Sequence, residues 1–175
     1  MDHDATIVEL CQRGHPAGFR RLVVAYQERI FRTAFAFVRN REDARDITQE
    51  VFLRTIRAID SLDPTRPLWP WLRRVTANLA INLIRRRSPH LSLDDLPDSV
   101  HPSSETGEPS WTLIDLQAAL ADLAPLWRIV LILRHQEGLP YEEIARITDL
   151  PVGTVKTYIF RGRRMLREKL ARREV

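Results

Sequence analysis

Apolar residues recur along this chain at helical spacing and show no sustained strand-like alternation. Phe19, Leu22, Val23, Tyr26, Ile30, Ala34 and Phe37 form one apolar stripe, which predicts an amphipathic helix from Pro16 to about Val38. A short helix from Thr6 to Arg13 precedes it and ends near Gly14. Asn40 is suited to cap a third helix, and Glu42 and Asp43 fall in its first turn beside the positive dipole end. That helix runs to about Ile59, with Ala44, Ile47, Val51, Thr55 and Ile59 facing inward. Asp60 to Pro67, with two prolines, predicts a loop, and Leu68 to Arg87 a fourth helix that is apolar at Leu72, Val75, Leu79 and Leu83.

The periodicity then stops. Ser88 to Ser110 holds Pro89, Pro97, Pro102 and Pro109 among serines and aspartates, offers little to bury, and reads as a linker. Helices return at Thr112–Ala124, Pro125–His135 and Tyr141–Thr148, break at Asp149-Leu150-Pro151, and resume from Val152. Glycine is scarce and hairpin signals are missing. The expected fold is therefore all-α, with two small helical domains joined by a flexible acidic linker. The expected boundaries are an N-terminal helix or arm at 1–15, a first domain at 16–88, the linker at 89–111 and a second domain at 112–175.

A net charge of +4 over 175 residues is modest, but its placement is uneven. Arg85-Arg86-Arg87 and the 161–173 region are basic, whereas 88–110 has no Lys or Arg and carries Asp94, Asp95, Asp98, Glu105 and Glu108. A single cysteine, Cys11, excludes an intramolecular disulfide framework. No apolar run approaches the ~20 residues that span a bilayer, and Met1-Asp2-His3-Asp4 lacks a signal-peptide core. The expected location is cytoplasmic, without membrane insertion. Cys11 and His15 lie one helical turn apart with His3 nearby, but the segment is terminal and the spacing common, so no metal is expected. With no Gly-rich phosphate loop, HExxH or paired-cysteine spacing, no catalytic residue, cofactor or small-molecule substrate is expected either.

Three surfaces carry the candidate chemistry. In the last helix Val155, Tyr158, Ile159, Gly162, Met165 and Leu166 share one face, while Gly153, Lys156, Thr157, Phe160, Arg161, Arg164 and Arg167 share the other. A charged face alone means only solvation. Behind a short helix and a tight turn it is the layout of a major-groove reader. In the fourth helix Trp71, Arg74, Asn78, Asn82 and Arg85 follow one another at helical spacing, with Trp69, Arg73, Arg86 and Arg87 around them. An aromatic ring, amides and guanidinium groups on one side suit single-stranded nucleic acid. A core Trp71 with incidental asparagines is the open alternative. In the third helix Asp43, Asp46, Gln49 and Glu50 form a polar stripe, either a solvated face or a docking surface for a basic partner.

These residues resemble bacterial sigma factors of the extracytoplasmic-function group, members of the sigma-70 family that keep only regions 2 and 4. Arg41-Glu42-Asp43-Ala44-Arg45-Asp46-Ile47-Thr48-Gln49-Glu50-Val51-Phe52 is similar to the segment that docks on the core polymerase clamp. Trp71-Leu72-Arg73-Arg74-Val75-Thr76-Ala77-Asn78-Leu79-Ala80-Ile81-Asn82 is similar to the segment that opens and reads the −10 element. Gly138-Leu139-Pro140-Tyr141-Glu142-Glu143-Ile144-Ala145 and Leu150-Pro151-Val152-Gly153-Thr154-Val155-Lys156 resemble the −35-reading helix-turn-helix. The match covers roughly 16–87 and 112–172.

The resemblance implies a promoter-specificity subunit and not an enzyme. Its partners would be core RNA polymerase, promoter DNA and a cognate anti-sigma factor, which in this group often holds the protein at the membrane. It further implies that Asp43, Asp46, Gln49 and Glu50 meet the polymerase. Trp71, Arg74, Asn78, Asn82, Arg85 and Arg86 would serve the −10 strand, with Asp60–Pro67 walling the pocket of a flipped base. Lys156, Thr157, Phe160, Arg161 and Arg164 would contact the −35 duplex. The acidic linker would thread the polymerase's nucleic-acid channel, or serve only as a spacer. Two departures stand out: the proline-rich loop from Leu62 to Pro70, where the family varies base choice, and Thr157 where serine is common. The rival reading is a stand-alone DNA-binding regulator whose first domain senses or dimerises.

Overall fold

The computed structural model describes the backbone of residues 2–87 and 120–171. Every regular element among them is helical. The chain divides into two units, Met1–Asn82 and Leu83–Val175.

The first unit contains α1 (Asp2–Gln12), α2 (Pro16–Val38), α3 (Arg41–Ala58) and the start of α4 (Trp69–Arg87). Pro16 opens α2 at the position where a missing N–H costs nothing. His15 Nδ1 accepts from the Ala17 N–H at 3.2 Å and supplies the cap. Arg39 ends the helix in the left-handed region at φ 58°, with its N–H on the Phe35 carbonyl. Asn40 Oδ1 then accepts from the Glu42 and Asp43 amides at 2.8 and 3.1 Å, the cap its sequence position predicted. This cap-to-cap turn folds α3 back on α2. Leu22, Tyr26, Ile30, Ala34 and Phe37 meet Ala44, Ile47, Val51 and Thr55 inside.

Helix α1 packs into this unit through Ile7, Val8 and Cys11, all nearly inaccessible. It approaches α2 so closely that a Cβ on Gly18 would lie 2.6 Å from the Cys11 amide nitrogen and 2.8 Å from the Leu10 carbonyl carbon. Thr48 and Thr55 stay buried by donating their hydroxyls to the carbonyls four residues back.

Helix α4 buries a different arc from the one its leucines suggest. Leu72 and Leu79 are buried, but Val75 and Leu83 are only half-buried; Thr76, Ala77, Ala80, Ile81 and Ile84 complete the covered side. Small residues and a threonine bonded to the Leu72 carbonyl let neighbours approach here. A stripe traced through large aliphatics misses that side. Trp69 and Arg73 are also buried, so both leave the surface cluster in which the sequence placed them.

The second unit contains the end of a helix at Leu120–Ala121, then α5 (Pro125–His135), α6 (Tyr141–Thr148) and α7 (Val152–Ala171). Ile129, Leu133, Ile144, Val155, Ile159 and Leu166 make its core. Gly162 lets α7 approach α5, because a Cβ there would meet Leu131 Cδ1 at 2.5 Å. The buried Arg128 guanidinium donates to the Leu120 and Ala121 carbonyls at 3.4 and 3.0 Å, satisfying the open end of the preceding helix. The expected helix start at Thr112 and the linker at 89–111, with Asp94, Asp95 and Asp98, lie outside the described residues.

Candidate nucleic-acid and docking surfaces

The break between α6 and α7 is built at Asp149. This residue takes the left-handed conformation at φ 53° and ends α6 with its N–H on the Ala145 carbonyl. Leu150, whose N–H also reaches that carbonyl, buries its side chain, and the Pro151 carbonyl accepts the first bond of α7 from Val155 at 3.0 Å. Proline therefore starts the second helix, whereas the aspartate, a residue type that tolerates left-handed geometry, stops the first. The α5–α6 turn is fixed by Gly138 at φ 66° and by Arg134, which donates to the Leu139 carbonyl and lies 4.7 Å from the Tyr141 ring centre.

On α7 the expected two faces separate. Val155, Tyr158, Ile159, Gly162 and Leu166 are buried and Met165 is half-buried. Burial raises the Tyr158 hydroxyl above its ordinary pKa, so it stays protonated. Opposite them Lys156, Arg164 and Arg167 are exposed, and Thr157, Phe160 and Arg161 are half-exposed. Lys156 Nζ lies 6.0 Å from the Tyr141 ring centre. Thr157 Oγ1 donates to the Gly153 carbonyl at 3.0 Å, which commits its hydrogen to the helix and turns the oxygen outward as an acceptor. Arg164 pairs with Glu168 at 3.6 Å, so part of its charge is met within the helix. The resulting face carries Lys156 near the helix start and Arg161, Arg164 and Arg167 further along, against Glu168.

On α4, Arg74, Asn82, Arg85 and Arg86 are exposed and Trp71 and Asn78 half-exposed. At about 100° per residue these six fall within a third of the helix circumference, opposite the arc centred on Thr76 and Ala80. Trp71 is thus a partly accessible ring among amides and guanidinium groups. Trp69, two residues earlier, is the packed tryptophan: it lies parallel to Tyr26 at 6.5 Å, with the Arg29 guanidinium 3.8 Å from its ring centre.

The α3 stripe is less uniform. Asp46 and Gln49 are exposed, and Glu50 is half-exposed and paired with Arg54 at 2.8 Å, a bond that lowers its pKa. Asp43 departs from this surface: it is 8% exposed, and its amide is bonded to the Asn40 cap. Pattern reading missed two neighbours. Leu53 and Ile56, 48% and 43% exposed, continue the face of Asp46 and Gln49 by helical steps. Large aliphatics left in water on a capped, otherwise polar helix face were the available signal.

Cys11 and His15 do not form a shared site. The thiol is buried and its pKa raised by that burial, while His15 Nδ1 is engaged in capping α2. The described residues contain no group of three or more His, Cys, Asp or Glu able to hold a metal ion. No described helix is long and apolar enough to cross a membrane.

A short helix, a left-handed stop and a second helix with a cationic outer face define a protein of the helix-turn-helix class. The family is fixed by comparison with known proteins. The family model for sigma-70 region 2 matches residues 22–90, and that for sigma-70 region 4 matches residues 113–166. The ECF RNA polymerase sigma factor SigW of Bacillus subtilis is 33% identical over 178 residues, 93% of this chain and 94% of the relative. The ECF sigma factor SigE of Mycolicibacterium smegmatis is 36% identical over 158 residues, 86% of this chain but 61% of the relative's length. Among solved structures, the sigma factor RpoE of Bartonella quintana, in complex with the anti-sigma factor NepR, matches in fold. That likeness has a TM-score of 0.61 at 23% identity, over 87% of this chain and 96% of that one. The chain belongs to the ECF sigma factors of the sigma-70 family.

Proposed function

We propose that this chain directs promoter-specific initiation by RNA polymerase and is itself not an enzyme. In this reading the α3 surface of Asp46, Gln49, Glu50, Leu53 and Ile56 docks on core polymerase. The α4 face of Trp71, Arg74, Asn78, Asn82, Arg85 and Arg86 captures unpaired bases of the −10 strand, with the loop after α3 beside them. The α7 face of Lys156, Thr157, Phe160, Arg161 and Arg164 reads the −35 duplex. Each captured base gains about 1–3 kcal/mol from stacking, comparable with the cost of unstacking it. A few captures together with backbone contacts then tip the duplex open. The observation that carries this reading is the coexistence, on one chain of the family, of an exposed Trp/Asn/Arg face and a separate helix-turn-helix unit. A stand-alone regulator needs only the second. The B. quintana likeness supports an anti-sigma factor as a further partner, and masking of the exposed apolar pair on α3 suits such restraint.

Run-off transcription with core polymerase on promoter-length DNA tests the assignment. Start sites should appear only when the protein is added. Lys156→Ala should weaken them several-fold without loss of polymerase binding, and should reduce the salt slope of promoter binding by about one unit. Tight, specific duplex binding without polymerase would sink this reading in favour of the regulator.

A further inference from the structure

The loop between α3 and α4 is held at both ends by polar side chains from α1. Gln12 donates both hydrogens of its amide, one to the Ile59 carbonyl at 3.1 Å and one to the Leu62 carbonyl at 2.9 Å. An amide nitrogen facing two carbonyls is a fork that only Asn or Gln supplies without charge. At the other end the Asp4 carboxylate spans two elements. One oxygen accepts from the Leu68 N–H at 3.0 Å and the other from the Tyr26 hydroxyl at 2.5 Å. Tyr26 in turn lies against Trp69, which Arg29 covers, so the entry to α4 is clamped from α1 through α2.

The tip between these anchors closes on itself. Asp63 Oδ1 accepts from the Thr65 amide at 2.9 Å and the Thr65 hydroxyl at 2.7 Å, and the Arg66 N–H donates to the Asp63 carbonyl at 3.1 Å. Stem, tip and stem are each tied. A segment that crosses from one helix to the next over exposed residues thus has its backbone shape set in the free protein.

We propose that Asp4 and Gln12 are positioning residues for promoter opening, which hold the loop from Ile59 to Leu68 in the shape that frames an unpaired −10 base. This rests on the reading above that the loop lies beside the captured base. Apolar packing of α1 is already supplied by Ile7, Val8 and Cys11. The two polar side chains add contacts to the loop's backbone carbonyls and its last amide. A loop shaped before DNA arrives spends no binding energy on ordering and presents one pocket wall instead of several. Helix α1 therefore acts on base choice without touching DNA.

The test uses full-length chain, core polymerase and promoters carrying each of the four bases at every −10 position. It measures discrimination between bases, opening rate, polymerase affinity and thermal stability. Gln12→Glu keeps the side-chain length but has no hydrogens to donate. It should lower discrimination at one −10 position by at least roughly five-fold, the change expected if only one of its two lost hydrogen bonds bears on the loop's shape, with polymerase affinity and −35 dependence intact. Asp4→Asn should act likewise, because an amide accepts only one of the two donors well. Tyr26→Phe, which leaves the Leu68 bond, should have a smaller effect. Unchanged discrimination in Gln12→Glu, or an equal loss on all promoters in step with a lower melting temperature, overturns the proposal. Arg66→Ala and Leu62→Ala separate the two levels. If they alter base choice while the α1 variants do not, only the positioning role fails; if none does, the loop's place beside the base fails too.

Discussion

Replacing Gly18 by alanine puts a methyl carbon 2.6 Å from the Cys11 amide nitrogen and 2.8 Å from both the carbonyl carbon and Cβ of Leu10. Ordinary contacts begin near 3.4 Å, so α1 must retreat by several tenths of an ångström. Two of the three opposing atoms are backbone, and no rotamer change relieves them. The retreat strains the turn in which the His15 N–H bonds the Leu10 carbonyl at 2.9 Å, and loosens Ile7, Val8 and Cys11. Overpacking of this kind costs about 1–3 kcal/mol. Alanine's better helix propensity returns up to ~1 kcal/mol, less in a first turn. The net loss should be about 1–2 kcal/mol, or roughly 5–15 °C in the melting temperature of a unit this size. Thermal and urea unfolding followed by circular dichroism would measure it, with hydrogen exchange reporting on the α1 amides. Gly153→Ala is the control, since its added carbon meets nothing within 4 Å and should be neutral or slightly stabilising. A Gly18→Ala protein as stable as the wild type would refute the close approach of α1 to α2, and with it the basis for α1 holding the loop.

Two further outcomes are expected. Asp46→Arg should abolish holoenzyme formation while leaving −35 duplex binding by the isolated chain unchanged; pull-down with core polymerase checks this, and normal assembly would remove α3 as the docking surface. Asp63 has its pKa lowered by the Thr65 hydroxyl, then the Thr65 amide, then Arg66. Because the folded carboxyl is the stronger acid, its turn contributes fully above the ordinary carboxylate range and is lost as pH falls through the lowered value. Carboxyl NMR titration should place the Asp63 midpoint below 3.8 and move it upward in Thr65→Ala; an unmoved midpoint would discount the hydroxyl bond.

Apart from α1, which begins at Asp2 and not at Thr6, helix limits and caps were legible because each rests on one local rule. Pro16 and Pro125 open their helices, Asn40 caps α3, and the apolar period carries α7 and, apart from the exposed Val23, α2 to their faces. What escaped depends on partners distant in sequence. Nothing near Trp69 and Arg73 marks them as buried, since Tyr26 and Arg29 of α2 cover the tryptophan. Asp43 looks like a surface acid from its sequence neighbours, yet it is buried in the fold. The segment 1–15, read as a helix or arm preceding the first domain, has its helix α1 packed on α2 because Gly18 admits it, a fact written in the absence of a side chain. The bonds from Asp4 and Gln12 span 64 and 50 residues to Leu68 and Leu62, separations that no periodicity encodes. Of the three candidate surfaces, the one on α7 keeps its assigned residues accessible, and the one on α4 keeps Trp71, Arg74, Asn78, Asn82, Arg85 and Arg86 accessible but not Trp69 and Arg73. The one on α3 loses Asp43 and gains Leu53 and Ile56.

The composition of the duplex face bears on why docking matters in the proposed function. Arg164 is paired with Glu168, and the Thr157 hydrogen is used within the helix, so two of the α7 face's donors are partly committed before DNA arrives. A face with few phosphate contacts binds weakly, and its affinity falls with salt in proportion to their number. The α4 face has no substrate until a duplex has opened. Neither surface alone holds a promoter at physiological ionic strength. Once α3 is anchored on polymerase, the second contact becomes intramolecular, and linkage of this kind raises overall affinity by roughly 10²–10⁴ without any new contact. In the proposed function the Asp46–Ile56 surface is what would convert two weak readers into one selective one, and a partner that covered it would silence both readers without touching either DNA face.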